Sequence, residues 1–396
     1  MAAFQNMPQA WRRLIFLIPV LIITLILASG LYTGSLPKPR MPKVVFDDSH
    51  GPFHSDCQAN HTPPNLDSLP DIIRALWQPL ILPITAPRFV TLDGTEKLLP
   101  PQNELVHTKP MGKRICILDV DTRDLAGEGS IFYSEGVPPW DKLGSPSAGF
   151  LSHYLYAQIH GYSYKFIRAP QYADRAPHWS KVIFTKELLK QYDIVVMMDY
   201  DAMFPSPEVP LEWMLNYWKI DRDVIVAMAE DPAGEPNFDD SEKHKVNINS
   251  GFIIAQAGEK SQRLFKDWAE CPSEVRYKGC AKWAQTLFHE QAAFSTHVRY
   301  DFLDGYSIET HPQYIRMLPC QEANGIPEVS GSGCVGHLVR HYWGRKGLTN
   351  REFGHNVMAA LTPLLVQAAY KEPGHVEDLR SKVLKGAEVL DKPPAR

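Results

Sequence analysis

The chain has no long basic run. Its 41 Lys and Arg are outnumbered by 45 Asp and Glu, for a net charge of −4, which points away from nucleic acid as a partner. Cysteine is scarce at six in 396 residues. Cys271 and Cys280 lie nine apart and Cys320 and Cys334 fourteen apart, spacings that fit no zinc site. No internal repeat is present, so a solenoid is excluded. N-x-S/T sequons are almost absent, the one instance running from Asn60 to Thr62 in a polar, Pro-rich stretch.

Long apolar runs are also rare, and the one at residues 14–34 stands out. Its 21 uncharged residues would span roughly 30 Å as a helix, the thickness of a bilayer core. Arg12 and Arg13 precede it, while Lys38, Arg40 and Lys43 follow, so charge does not fix its orientation. The run is long for a cleaved signal peptide and reads as an uncleaved signal-anchor. Residues 1–13 are then a cytosolic tail. The Asn60 sequon and the two close cysteine pairs, readable as disulfides, place the rest on the lumenal side. Cys116 falls inside a strand pattern and reads as a small buried hydrophobe.

Residues 35–110 are rich in proline and poor in periodicity, and read as a stem with an apolar patch over 72–82. A catalytic domain is expected over 111–372 and a charged tail over 373–396. Strands are expected over 114–121, 164–168 and 194–198, separated by helices over 147–160, with Ser147 as N-cap and Gly161 as stop, and over 179–191. That alternation predicts an α/β fold, a mostly parallel sheet flanked by helices. Further strands are expected over 223–228 and 247–255. Helices are expected over 211–218, 261–270, 290–297 and 350–370, the last packing through Met358, Leu361, Leu364 and Leu365.

The strand at 194–198 is wholly apolar and ends in Asp199 and Asp201, spaced i, i+2. Two carboxylates at the carboxyl edge of a sheet can converge on one cation, which removes their mutual repulsion. Acids also cap turns at strand ends, so the pair gains meaning from other segments. Trp179 and Lys181 open the preceding helix, and Lys181 either neutralises phosphate charge or is a solvated helix lysine. Asn249, Ser250 and Gly251 put a glycine and two short polar groups in a strand, marking close approach or a bulge. Glu290 and Gln291 start a helix and either bond sugar hydroxyls or cap it. His341, with Gly344 and Lys346 behind it, offers an imidazole, a flexible step and a cation. His337 is the rival ligand, and would share a helical face with His341, although the segment reads as a strand.

Two other patterns carry less. Gly331, Gly333 and Gly336 match the dinucleotide pattern G-x-G-x-x-G, but neither an early strand nor a helix flanks them. Asp119, Asp121 and Thr122 resemble the acid pair of metal-dependent phosphatases, with Arg123 where that family carries Thr or Val. A phosphatase is therefore a remote alternative. Otherwise Asp121 is expected near the nucleotide base or ribose.

Together, the Trp179–Lys181 helix, the Asp199–Asp201 strand, the Asn249–Gly251 strand, the Glu290–Gln291 helix and the His341–Lys346 segment resemble the nucleotide-sugar glycosyltransferases of the GT-A fold. The likeness covers residues 114–350 and is strongest to the Golgi galactosyl/mannosyl/xylosyltransferase family 34, type II membrane proteins, with a departure at Glu290, where that family carries Asp. The resemblance implies transfer of a hexosyl or pentosyl group from a nucleoside-diphosphate sugar to a glycan or glycoprotein hydroxyl. It implies Mn²⁺ (or Mg²⁺) on Asp199, Asp201 and His341, phosphates on Lys181, Lys346 and Gly344, and the sugar on Asn249, Ser250 and Gln291. It also implies retention of anomeric configuration, with no residue identifiable as nucleophile. The alternative from another class is an inactive lumenal sugar- or nucleotide-binding protein on the same fold.

Overall fold

The computed structural model describes residues 68–232, 246–302, 314–327 and 334–371, with Gly374 and Val376. The expected anchor at 14–34, the Asn60 sequon and the tail from 377 lie outside the described residues. Among those described, no helix is long and apolar enough to cross a membrane.

Residues 68–110, read from sequence as stem, are built onto the domain. Ser68 caps helix α1 (Leu69–Trp77), which buries Ile73 and Trp77. Strands β1 (Arg88–Val90) and β2 (Glu96–Leu98) then form an antiparallel hairpin. The prolines mislead because these elements are short and the segment is fixed to the domain by single long-range bonds. Leu82 N donates to Glu208 O at 3.0 Å, Trp213 Nε1 to Ala86 O at 2.9 Å, and buried Lys97 reaches Glu322 Oε1 at 2.6 Å.

The central sheet begins with β3 (Ile115–Asp121), followed by helix α2 (Ser145–His160) and β4 (Ser163–Arg168). Gly144 takes the cap position three residues ahead of the expected Ser147, Pro146 lies in the first turn of α2, and Gly161 closes it at φ 70°. Helix α3 (Ser180–Leu188) leads into β5 (Ile194–Met198), then β6 (Ala202–Met203), helix α4 (Leu211–Tyr217) and β7 (Val226–Glu230). Next come β8 (Ile248–Gln256), α5 (Glu259–Ala269), α6 (His289–Thr296), β9 (Ile315–Leu318), α7 (Cys320–Ala323), β10 (Arg340–His341) and α8 (Leu348–Val366). Six strands form one sheet in the order β4-β3-β5-β8-β7-β9. It is a mixed α/β arrangement with a mostly parallel sheet. One strand, β8, runs antiparallel to both its neighbours.

Alternate residues of β5 face opposite layers, as the two-residue period of a strand requires. Val195 and Met197 join Val182, Leu264, Trp268 and Phe294 of α3, α5 and α6. Ile194, Val196 and Met198 join Tyr156, Trp213 and Met214 of α2 and α4. Burial on both faces explains why the strand is apolar without interruption. Helix α8 corrects one expectation. It buries Thr349, Glu352, Asn356 and Ala360, while Met358 and Leu365 are exposed. Polar groups face inward there because they have partners: Glu352 accepts two bonds from Arg340 at 2.8 Å each, and Asn356 Nδ2 donates to Phe204 O at 2.8 Å. Disulfides join Cys271 to Cys280 and Cys320 to Cys334, and Cys116 is a buried thiol pushed by desolvation up to about 12.

Candidate metal and nucleotide-sugar site

Strands β3, β5 and β7 run in one direction, so Asp121, Asp199 and Asp231 all fall at one edge of the sheet. Past β5 the chain turns tightly, Ala202 N donating to Asp199 O at 2.8 Å, while Asp199 N is held by Gly251 O at 2.8 Å. Helix α2 presses on this turn. A Cβ on Gly149 would stand 1.7 Å from Tyr200 O, so only glycine admits the helix there. From the same helix, His153 bonds Ala202 O at 2.6 Å through Nε2 and Asp119 Oδ1 at 2.7 Å through Nδ1. Both partners are acceptors, so the buried ring carries two protons and stands as a cation beneath the turn. Its pKa is raised: burial lowers it, and Asp119 more than reverses that.

Strand β6 then pairs antiparallel with β10, setting His341 opposite Ala202, and Tyr342 N donates to Asp201 O at 2.7 Å. This pairing brings the imidazole to the acids. One ligand atom from each of Asp199, Asp201 and His341 lies within 4.8 Å of the others. Asp201 is 2 % exposed. Its Oδ2 accepts no hydrogen bond, although Lys346 Nζ is 3.3 Å away, and its Oδ1 is 3.6 Å from His341 Nε2. Burial raises its pKa, but His341 and then Lys346 outweigh burial and hold the carboxyl well below its usual range. A buried anionic oxygen partnered only by a half-exposed lysine, beside a second carboxylate and an imidazole, fits a hard divalent cation.

The remaining residues line a cleft of about 430 Å³ that holds the triad together with Lys181, Asp231, Asn249, Ser250, Glu290, Gln291, Trp343 and Lys346. Asp231 sits one residue past β7 and gathers amides: Asn249 Nδ2 at 2.8 Å and Gln291 Nε2 at 2.7 Å. Burial raises its pKa, partly offset by Asn249. Gln291 Oε1 accepts from Ser250 N at 3.0 Å, and Ser250 Oγ donates to Glu290 Oε1 at 2.8 Å.

Several sequence expectations are revised by these contacts. Lys181 is neither solvated nor free for a phosphate. It is buried with Nζ 2.9 Å from Asp199 and 3.1 Å from Glu290. Burial lowers its pKa and the two carboxylates raise it above the ordinary value, so it stays a cation that holds Asp199 in place. His337 is not a ligand: its Nε2 bonds Asp93 at 3.0 Å, away from the acid pair. Asp121 does not line the cleft. Its carboxylate takes the backbone N and guanidinium of Arg123, which in turn lies over the Tyr200 ring at 4.9 Å. Gly344 also stays outside the cleft lining and only spaces His341 from Lys346. The phosphatase alternative fails because Asp119 is fully buried, tied to His153 and to the Tyr164 hydroxyl at 2.7 Å.

Sequence reading missed Asp231 and Asn324. The rule that found Asp199, an acid just past a parallel strand, would have found Asp231 had the strand end been placed at 230 rather than 228. Asn324 follows α7 and reaches His341 Nδ1 at 2.9 Å, a contact with no local signature.

Residues 176–335 match the sequence model of the nucleotide-diphospho-sugar transferase family, a span under half of the 396-residue chain. It takes in Lys181, the acid pair, Asp231, Gln291 and Asn324, and ends before His341. A solved glycosyltransferase involved in the glycosylation of the major capsid of PBCV-1 shares 12 % identity over 61 % of this chain and 98 % of its own, with a TM-score of 0.42, too loose a likeness to carry inference. No curated protein matches the chain.

Proposed function

We propose that the chain is a metal-dependent glycosyltransferase that moves a hexosyl or pentosyl group from a nucleoside-diphosphate sugar to a hydroxyl of a glycan or glycoprotein. The observation that carries this is the convergence of Asp199, Asp201 and His341 beside Lys346 in one cleft, within and just beyond the stretch similar to nucleotide-diphospho-sugar transferases. The triad would hold Mn²⁺ or Mg²⁺, which when bound stabilises the charge that builds on a diphosphate leaving group. Lys346, half exposed at the cleft mouth, shares that work as a point charge. Asp231, itself oriented by Asn249 and Gln291, presents a carboxylate to sugar hydroxyls. Lys181 and Glu290 keep Asp199 aimed at the cation. Retention of configuration belongs to this reading, by attack on the same face as the departing diphosphate.

The anchor at 14–34, a lumenal catalytic domain and a place in Golgi or ER membranes complete the proposal. Two disulfides support an oxidising compartment. Thermal-shift measurements with Mn²⁺ and UDP, GDP or their sugars test the donor assignment. Stabilisation by one nucleotide only in the presence of the metal is expected. No shift with any of them would remove the donor from the account.

A further inference from the structure

His341 is the ligand whose orientation the sequence leaves open, because an imidazole offers either nitrogen to a cation. The ring is held from two sides and its backbone is pinned. Gly251 supplies one wall, and His341 N is fixed to Gly325 O at 3.1 Å. The other side is Asn324, fully buried, with its Oδ1 2.9 Å from His341 Nδ1.

The amide itself cannot be turned over. Its Nδ2 donates to Glu230 O at 3.0 Å and lies 3.5 Å from Asp231 Oδ1. A reversed amide would set oxygen against a carbonyl and a carboxylate, both acceptors, at a fully buried position. Asn324 Oδ1 therefore faces the ring, and an acceptor there requires a proton on Nδ1. The other nitrogen, Nε2, 3.6 Å from Asp201 Oδ1, is then the one that can exchange a proton for a cation.

We infer that Asn324 is a positioning residue for the metal: it commits His341 to the Nδ1–H form and so presents Nε2 to the cation. This rests on the metal reading of Asp199, Asp201 and His341. It also joins two parts of the cleft, since the amide that aims His341 also touches the carboxylate meant for the sugar. Partners of this kind on a ligand histidine are typically worth about 10–100-fold in metal affinity.

The test is a double-mutant cycle on Mn²⁺ affinity, read by electron paramagnetic resonance on the full chain. Asn324→Leu keeps the branched shape with bulkier ends and removes the acceptor, and is expected to weaken Mn²⁺ by about 10–100-fold. In a His341→Ala background the same change is expected to cost nothing further, because the residue acts through the ring. Additive losses, or undiminished affinity in Asn324→Leu, would overturn the inference. Asn324→Ala takes the place of Asn324→Leu if the latter does not fold. Nitrogen NMR of the wild-type histidines with Cd²⁺ bound needs no variant: the His341 proton on Nδ1 supports the assignment and a proton on Nε2 contradicts it. Wild-type protein that binds no divalent cation would remove the metal reading itself, and this inference with it.

Discussion

A methyl group on Gly251 would stand 2.1 Å from Cε1 of His341 and within 2.8 Å of both ring nitrogens. The glycine in the middle of an apolar strand is there so that the Cε1 side of an imidazole can approach the backbone beside Asp199 and Asp201. Gly251→Ala is therefore expected to leave the sheet folded and to displace the ring. Mn²⁺ affinity should fall by at least about 10-fold, as for other losses of ligand orientation. Calorimetric titration of Mn²⁺ checks this, and unchanged affinity would mean the ring is not the ligand.

Gly149 acts on the same site from the other layer, since a Cβ there meets Tyr200 O at 1.7 Å. Backbone cannot swing aside as a side-chain tip can. Gly149→Ala should force helix α2 away from the Asp199–Asp201 turn, and overpacking of that kind costs about 1–3 kcal/mol. Chemical denaturation should show the loss together with weaker Mn²⁺ binding. Loss of stability with intact metal affinity would separate the helix contact from the site.

Lys181 is a buried cation shared by two buried or half-buried carboxylates. Lys181→Met leaves Glu290 and Asp199 facing each other without a counter-charge, a change typically worth about 3–5 kcal/mol. Adding Glu290→Gln to that variant should recover part of the loss, because one of the stranded charges is gone. Equal stability of the single and double variants, measured in urea, would show that the two groups are not coupled.

His160 at the end of α2 donates Nε2–H to Pro207 O at 2.8 Å and stacks on Tyr162. Burial holds its pKa at about 4 against an ordinary 6.5, only partly relieved by the Pro207 carbonyl. Between those values the unfolded chain binds more protons than the folded one. The contribution is complete above about pH 6.5 and drains away as pH falls towards 4, by up to about 3 kcal/mol, less whatever solvent its edge still meets. Melting temperatures from pH 7.5 down to about 4 should drop less steeply in His160→Phe than in wild type; parallel curves would contradict this.

The β5 strand, the acid pair and the α/β order were legible because each is written in a few neighbouring residues. An apolar run buried on both faces has to stop somewhere, and it stops at Asp199. The choice between His341 and His337 was not legible. It depends on β10 pairing with β6, which lie far apart in the sequence. Lys181 could be seen as a cation near the site, but the carboxylates that claim it could not. Residues 68–110 read as stem in the sequence because proline content speaks of local order, whereas this segment is fixed by distant groups such as Asn216, whose Oδ1 accepts from the backbone of His107 at 2.9 Å. Helix α8 misled in the opposite way: its apolar residues invited burial, but paired polar groups took the inner face.

Asp201, a buried carboxylate 3.3 Å from Lys346 and 3.6 Å from His341, is the centre of the proposed metal site. The direct measurement is Mn²⁺-dependent hydrolysis or transfer of a nucleoside-diphosphate sugar by wild type and by Asp201→Ala, with the fold of each verified by circular dichroism. The account predicts turnover by wild type that chelation abolishes and that the folded variant lacks. Undiminished turnover by a folded Asp201→Ala would contradict it.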